Sequence, residues 1–432
     1  MRNRKKLAKK YIVRNVLLLV FSLLFLVAGM GCFYVDGLVQ NFTFTGNLTP
    51  IVSQAINAST VDSGTTFTTN GANQVNGLLK DEAITNLLLI GVDDYQEDDP
   101  IGRSDSMMLI SLDNRHQKIK MTSFMRDTYV AIPGHTSQKL NAAYRFGAYY
   151  SVEDDGAQPG DLKSVDAGAQ LCMQTIQLHF GMYIDRYIVV KDSAFDEVID
   201  ALGGVDVDLT AKEARQIDIS VDDSYLEDTQ TSSVTTQHLN GAQAHYYSRI
   251  RQDNIPNING NIGDVGRAER QRLVVQAIID KFKSSDLGTI SRIAEEVLPN
   301  VITNMSADEV VSMLLQAMTI LQYPTESYQV PAEGDYTTPT VSINGAAASI
   351  VQINDLVQTR EKVLDFIYES DRPETTSDVT EQIEELGRSE QPAGTDYDDG
   401  YGDYGTDDSG YDTGDYGYGG DYGYDTGYDT NW

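Results

Sequence analysis

The sequence predicts an α/β protein with helices on both faces of a mixed sheet, and three observations carry that prediction. Between residues 84 and 370, short apolar runs of strand length alternate with longer segments of helical periodicity. Ahead of them, residues 16–35 carry no charge. Behind them, residues 395–432 hold eleven Asp, nine Tyr and no Lys or Arg. The expectation is a folded core preceded by one membrane span and followed by a disordered tail.

The N-terminus is read first. Residues 1–15 (MRNRKKLAKKYIVRN) hold seven Lys/Arg and no acid, a basic cytoplasmic segment. Residues 16–35 (VLLLVFSLLFLVAGMGCFYV) follow as a transmembrane helix. Twenty residues rising about 1.5 Å each span roughly 30 Å, the thickness of a bilayer's hydrocarbon core. The basic flank sets the N-terminus inside and the rest outside, a single-pass cell-membrane protein with an extracellular domain. A cleaved signal peptide fits less well, because its apolar region is usually about 7–15 residues and no Ala-x-Ala site closes this run. Residues 36–83, rich in Asn, Thr, Ser and Gly, read as a stalk.

The remaining chain holds 25 Lys/Arg and all 64 acidic residues of a protein with net charge -32. That balance excludes a nucleic-acid-binding role, which needs a basic face. Cys32 sits in the span and leaves Cys172 alone outside, so no intrachain disulfide framework is possible. Stability must come from a core, which the roughly 290 residues of 84–370 can build.

In chain order, NLLLIGVD (86–93), SMMLISL (106–112), KIKMTSFM (118–125) and YIVV (187–190) read as buried strands. SAFDEVIDAL (193–202) reads as a helix stopped by Gly203-Gly204, and VDVDL (205–209) as a returning strand. LNGAQAHYYSRIR (239–251) starts helical, and AERQRLVVQAIIDKF (268–282) is the clearest helix. Further helices are expected near 290–297 and 307–322, then INGAAASI and a last helix, VQTREKVLDFIYE, before Ser370. Residues 371–432 cannot build a core from their acidic and Tyr/Gly/Asp composition.

Charge gathers where an ordinary core would not hold it. Asp93 ends one apolar strand, Arg103 and Asp105 open another, and Arg126-Asp127 follows a third. Ligand sites in α/β sheets lie beyond strand ends. A spacing of two in extended chain puts Arg103 and Asp105 on one face. Farther along, Arg249, Arg251, Arg267, Arg270 and Arg272 fall within 24 residues of an acidic exterior. Arg249 and Arg251 share a face if extended, and Arg267 and Gln271 share one on a helix that Asp264 could cap. Arginines suit phosphate oxygens, and two carboxylates suit Mg²⁺ completed by water and phosphate. Together they point to phosphoryl transfer. The five histidines (116, 135, 179, 238, 245) show no zinc spacing, and neither a Gly-x-Ser-x-Gly elbow nor a Walker loop occurs. Cys172, within LCMQTIQLHF, reads as core.

At these residues the chain resembles the LytR-CpsA-Psr family of membrane-anchored wall-glycopolymer transferases. The resemblance rests on LLLIGVD (87–93), GRSDSMML (102–109), SFMRDTYVAIPG (123–134), KLNAAYRFGA (139–148), IDRYIVV (184–190), VIDALGGVDVDL (198–209), LNGAQAHYYSRIR (239–251) and DVGRAERQR (264–272), in matching order and spacing. It implies a three-layer αβα sandwich with an apolar cleft for lipid. It implies a Gram-positive enzyme that takes a glycopolymer, of teichoic-acid or capsule type, from a polyprenyl pyrophosphate carrier and joins it to peptidoglycan by a phosphodiester. The family's metal-binding aspartates correspond to Asp93 and Asp105, and its pyrophosphate-binding arginines to Arg103, Arg126, Arg249, Arg251 and Arg267. Its lysine and glutamine positions correspond to Lys139 and Gln271. Asp93, Arg103, Asp105 and Arg126 would carry the chemistry, with Mg²⁺ as cofactor and a site aspartate as base. Met125 departs from the family's usual proline. Alternative readings are a polyprenyl pyrophosphate phosphatase, with water as acceptor, and a non-enzymatic wall-binding or regulatory protein using its acidic tail. Sugar selectivity is expected in loops such as 150–168 and 210–236.

Overall fold

The computed structural model describes residues 43–44, 78–93, 101–221, 226, 234–284, 301–343 and 345–373. The expected cytoplasmic segment, the span at 16–35, the helix near 290–297 and the chain beyond 373 lie outside the described residues, as does most of 36–83. Among the described residues no helix is long and apolar enough to cross a membrane.

Fifteen strands and eight α-helices follow in chain order among the described residues. The strands are β1 (Thr43–Phe44), β2 (Ile84–Val92), β3 (Ser104–Asp113), β4 (Lys118–Phe124), β5 (Tyr129–Val130), β6 (Gln138–Lys139), β7 (Arg186–Lys191), β8 (Val205–Leu209), β9 (Thr235–Leu239), β10 (Val301–Thr303), β11 (Thr325–Val330), β12 (Tyr336–Thr337), β13 (Thr340–Ile343), β14 (Ala346–Ser349) and β15 (Gln352–Ile353). The helices are α1 (Ala142–Asp155), α2 (Leu162–Phe180), α3 (Asp192–Ala201), α4 (Ala211–Ser220), α5 (Gly241–Arg249), α6 (Gly263–Ser284), α7 (Ala307–Ile320) and α8 (Leu356–Tyr368). The hairpin β13–β14 belongs to a compact unit separate from the rest. Segments 150–168 and 210–236, expected as loops, are in part helical: α1, α2 and α4 occupy much of them.

Seven strands form one mixed sheet in the order β1-β10-β7-β2-β3-β4-β11. β2, β3 and β4 are an antiparallel meander, flanked by the parallel pairs β2–β7 and β4–β11. Side chains alternate between the faces of the sheet. Leu88, Ile90, Val92, Leu109 and Val189 enter the main core under α1, α2 and α8. Leu87, Ile110 and Ile119 face the other way and pack with Met313 and Ile320 of α7. Ile188 and Val301 meet α3 and α6 on that side. Cys172 lies in α2 with no exposure, and burial pushes its thiol up to about 12, which fits core and not a nucleophile.

A smaller cluster joins β8–β9 to α4, α5 and α6 through Val205, Leu209, Ile217, Tyr247 and Val274. Two of its helices, α4 and α5, start on side-chain caps. Thr210 with Glu213 and Asn240 with Gln243 are capping boxes, each satisfying two N–H groups reciprocally. Glu213 also anchors an arginine, since its Oε1 accepts from Arg270 Nε at 2.7 Å. Arg270 also donates to the carbonyls of Ile250 and Ile255, at 2.6 and 2.7 Å. That buried guanidinium ties down the turn that leaves α5.

At the opposite end of the sheet, fully buried Lys120 donates to Asp113 (2.8 Å) and to the Ile367 carbonyl (2.7 Å), and pairs with Glu369 at 2.9 Å. Burial opposes charge on Asp113, but hydrogen bonds from Lys120 and His116 hold its carboxyl below the usual value. Hydrogen bonds from Lys118 and Lys120 do the same for Glu369. Carboxyls depressed in the folded state stabilise it fully above their unfolded values, about 3.9 and 4.3, and that stability is lost as pH falls. These two carboxyls are therefore expected to lower the urea midpoint as pH falls below about 5. A midpoint unchanged down to about pH 3 would contradict this.

Candidate active site

Strand order brings the acids together. β2 and β4 end, and β3 begins, at the same edge of the sheet. Asp93 follows β2, Asp105 is the second residue of β3, and Arg126 lies two residues past β4. The pairing Gly91↔Ser106 is followed by Val92↔Ser104, so Asp105 is the extra residue of a β-bulge. A bulge bends the strand and re-aims its side chain. The simple period-two argument for Arg103 and Asp105 therefore fails here. Arg103 enters through its backbone: its carbonyl accepts from the Asp93 N–H at 3.4 Å.

Arginines from three directions meet these carboxylates. Arg126 Nη1 donates to Asp105 Oδ1 at 2.6 Å. Arg249 is the last residue of α5, not part of an extended pair with Arg251, and its Nη2 lies 3.3 Å from Asp93 Oδ1 and 3.9 Å from Asp105 Oδ2. Its Nη1 donates to Asp192 Oδ2 at 3.0 Å. Burial would raise Asp105, but Arg126, Arg267 and Arg249 outweigh it and hold the carboxyl low. Asp93 goes the other way. Burial and the Asp105 charge push it up to about 7, against the pull of Arg249.

Behind Arg249 stands His245, 3.0 Å from Asp196 and 3.5 Å from Asp192. Burial opposes its charge, yet hydrogen bonds to both aspartates raise the imidazole to about 9. Its Nε2 also lies 3.2 Å from Arg249 Nη1, and the imidazole and the guanidinium both face Asp192.

The first turn of α6 supplies the other wall. The helix begins at Gly263, so Asp264 lies inside it and does not cap it. Asp264 Oδ1 sits 2.6 Å from Arg267 Nη2. Asp105, Arg126, Asp127, Asp264, Arg267 and Gln271 line one cleft. Burial and the nearby Arg126 charge depress Arg267, so two guanidinium groups repel across this space. Lys139 reaches the cleft through Asp127 (3.2 Å), and Arg251 through its field on Asp264. Arg270, one of the clustered arginines, is structural instead.

One group among the described residues brings three potential metal donors within 4.8 Å of one another: Asp113, His116 and Glu369. The Lys120 ammonium, bonded to two of them, already supplies the cation there.

A family model described as the LytR_cpsA_psr family matches residues 51–361. The chain belongs to the LytR_cpsA_psr family. Two curated relatives are similar to it. One is the polyisoprenyl-teichoic acid–peptidoglycan teichoic acid transferase TagV of Bacillus subtilis (strain 168), 32% identical over 230 residues, covering 52% of this chain and 50% of the relative. The other is the transferase TagU of Oceanobacillus iheyensis, 33% identical over 242 residues, covering 56% of this chain and 65% of the relative. The chain thus spans between half and two-thirds of these relatives' length. A solved structure described as TagT bound to LI-WTA is 24% identical, with a TM-score of 0.45, covering 71% of this chain and 92% of that one.

Within this LytR_cpsA_psr domain, sequence reasoning misses Asp192, His245 and the part played by Asp127 and Asp264. Asp192 has a legible signal, an acid directly after an apolar strand. Its pairing with Asp93 follows from register, since Val92 stands opposite Lys191. The family's proline position also acquires a physical meaning here. Met125 donates its N–H to the Val330 carbonyl at 2.9 Å, a bond that proline lacks.

Proposed function

We propose that the protein is a membrane-anchored extracellular phosphotransferase. It moves a glycopolymer of teichoic-acid or capsule type from a polyprenyl pyrophosphate carrier to peptidoglycan. The observation that carries the reading is the pair of mutually repelling buried guanidinium groups, Arg126 and Arg267, facing a cleft shared with Asp105. An anion of several oxygens relieves that repulsion, and pyrophosphate does so with bidentate geometry. The names of the TagU and TagV relatives support the same reaction class. The uncharged run at 16–35 behind a basic flank supports the membrane anchor and the extracellular location.

Asp93 and Asp105 would hold Mg²⁺. Their fit rests on two carboxylates brought so close that one Arg249 nitrogen lies 3.3 Å from Asp93 and 3.9 Å from Asp105. When bound, the ion supplies further neutralisation of the pyrophosphate. Arg126, Arg249 and Arg267 hold the pyrophosphate oxygens, with Arg103, Lys139, Arg251 and Gln271 completing the shell. A peptidoglycan sugar hydroxyl attacks the phosphorus nearer the glycopolymer, and polyprenyl phosphate leaves. The contribution of the chain is positioning and stabilisation of developing charge.

The test is transfer of a labelled short-chain polyprenyl-pyrophosphate glycan to peptidoglycan oligomers by the full chain with Mg²⁺. Labelled oligomer and polyprenyl phosphate are expected in equal amounts. Release to water alone, whether or not oligomers are present, would replace this reading with a pyrophosphate phosphatase. Wall retention needing only residues 371–432, with no turnover, would replace it with a wall-binding protein.

A further inference from the structure

Arg249 reaches the acids of the site from the end of α5, with 43% of its side chain open to solvent. An arginine so exposed keeps much of its rotamer freedom unless something tethers it. The tether lies on α3. Asp192, Asp196 and Asp200 recur every four residues along that helix and share a face, as Gly241, His245 and Arg249 do along α5. The two faces meet in antiparallel register, one rung per turn. Asp192 Oδ2 accepts from Arg249 Nη1 at 3.0 Å. Asp196 Oδ1 lies 3.0 Å from His245 Nδ1. Asp200 Oδ1 accepts from the Gly241 N–H at 2.7 Å. A Cβ at Gly241 would stand 2.4 Å from the Asp196 carbonyl oxygen, so glycine lets the two backbones close at that end.

The middle rung braces the first. His245 Nε2 lies 3.5 Å from Asp192 Oδ2, and Phe195 meets the imidazole edge-on, with ring centroids 6.0 Å apart. Asp192 and Asp196 are like charges one turn apart, which repel, and an imidazole facing both offsets that repulsion. Asp192 is in turn tied to the sheet. Lys191, just before it, pairs with Val92, just before Asp93.

Resting on the transferase reading for its consequence, we infer that Asp192 and His245 are positioning residues that act through Arg249. Asp192 engages Nη1, which leaves Nη2 directed at Asp93 (3.3 Å) and Asp105 (3.9 Å). Without Asp192 the guanidinium is free to swing and give both nitrogens to Asp93, and its fork is lost to the pyrophosphate. Displacing a binding group by about 1 Å can cost about 10² in rate, so the ladder matters although neither residue holds the carrier itself.

The experiment is a double-mutant cycle on the full chain. It compares Asp192→Asn, Arg249→Ala and the two combined, with His245→Leu carried through the same cycle. Each protein is scored for affinity for a short-chain polyprenyl pyrophosphate and for glycan transfer, and its urea midpoint reports folding separately. With Arg249 present, Asp192→Asn is expected to weaken carrier binding and to lower kcat/KM by about 10–10². His245→Leu keeps the Asp192 contact and should cost less. With Arg249→Ala already in place, neither change should cost more than about twofold. Equal losses in both backgrounds, or a collapse of the urea midpoint, would overturn the inference, because a residue that only holds the fold is felt whether or not Arg249 is there. So would wild-type binding and kinetics in Asp192→Asn. A wild type that binds carrier but transfers no glycan would sink the transferase reading and leave the ladder to be judged by the binding cycle. A wild type that binds no carrier would overturn both.

Discussion

Arg126→Ala is expected to lower kcat/KM for glycopolymer transfer by about 10²–10³, the usual scale for one charge-stabilising group at a reaction centre. The reasoning starts from Asp105, a bulge residue with its strongest partner in Arg126 at 2.6 Å. Without that guanidinium, burial acts on Asp105 with less opposition, and its carboxyl rises toward or above the ordinary range. The cleft loses a pyrophosphate donor and half of the guanidinium pair that favours an anion. Lysine should restore little. It keeps the charge but not the fork that serves Asp105 and the pyrophosphate together. The measurement is steady-state transfer with carrier affinity in parallel. A variant within twofold of wild type on both counts would remove Arg126 from the site.

Arg270→Met is expected to be the most destabilising change near the site, costing about 3–5 kcal/mol by urea unfolding. Arg270 and Glu213 both have fully buried side chains, and the guanidinium gives its remaining hydrogen bonds to two carbonyls of the turn after α5. Removing it strands the Glu213 charge and those carbonyls in an apolar layer. Pairing it with Glu213→Leu should recover part of the loss, because no lone charge then remains. Additive losses in the double variant would show that the two groups do not act as a pair.

The layered order of elements is readable in the sequence because the buried strands are short and apolar and the helices between them are long. Spacing near strand and helix ends nominates Asp93, Asp105, Arg126, Arg249, Arg267 and Gln271, and the folded chain gathers them at one edge. Three things are hidden for physical reasons. The bulge at Asp105 is a property of strand pairing, which no single strand's pattern reveals. Arg270 and Arg267 sit three residues apart on one helix, yet only the position of Glu213, 57 residues away, makes one of them structural. Asp127 and Asp264 stand 137 positions apart in sequence and line one cleft only once the tertiary fold exists.

The site draws its groups from two packing layers. Asp93, Asp105 and Arg126 stand at the edge of the central sheet, whereas Arg249 and Arg267 ride on helices of the smaller β8–β9 layer. An anionic ligand bridging them acts as a cross-link between the layers, and its binding energy adds to the smaller layer's resistance to local opening. Occupancy should therefore be legible as slowed amide exchange in α5 and α6, with the sheet strands little changed. Release of such a ligand would then loosen one layer while the sheet half of the site keeps its shape.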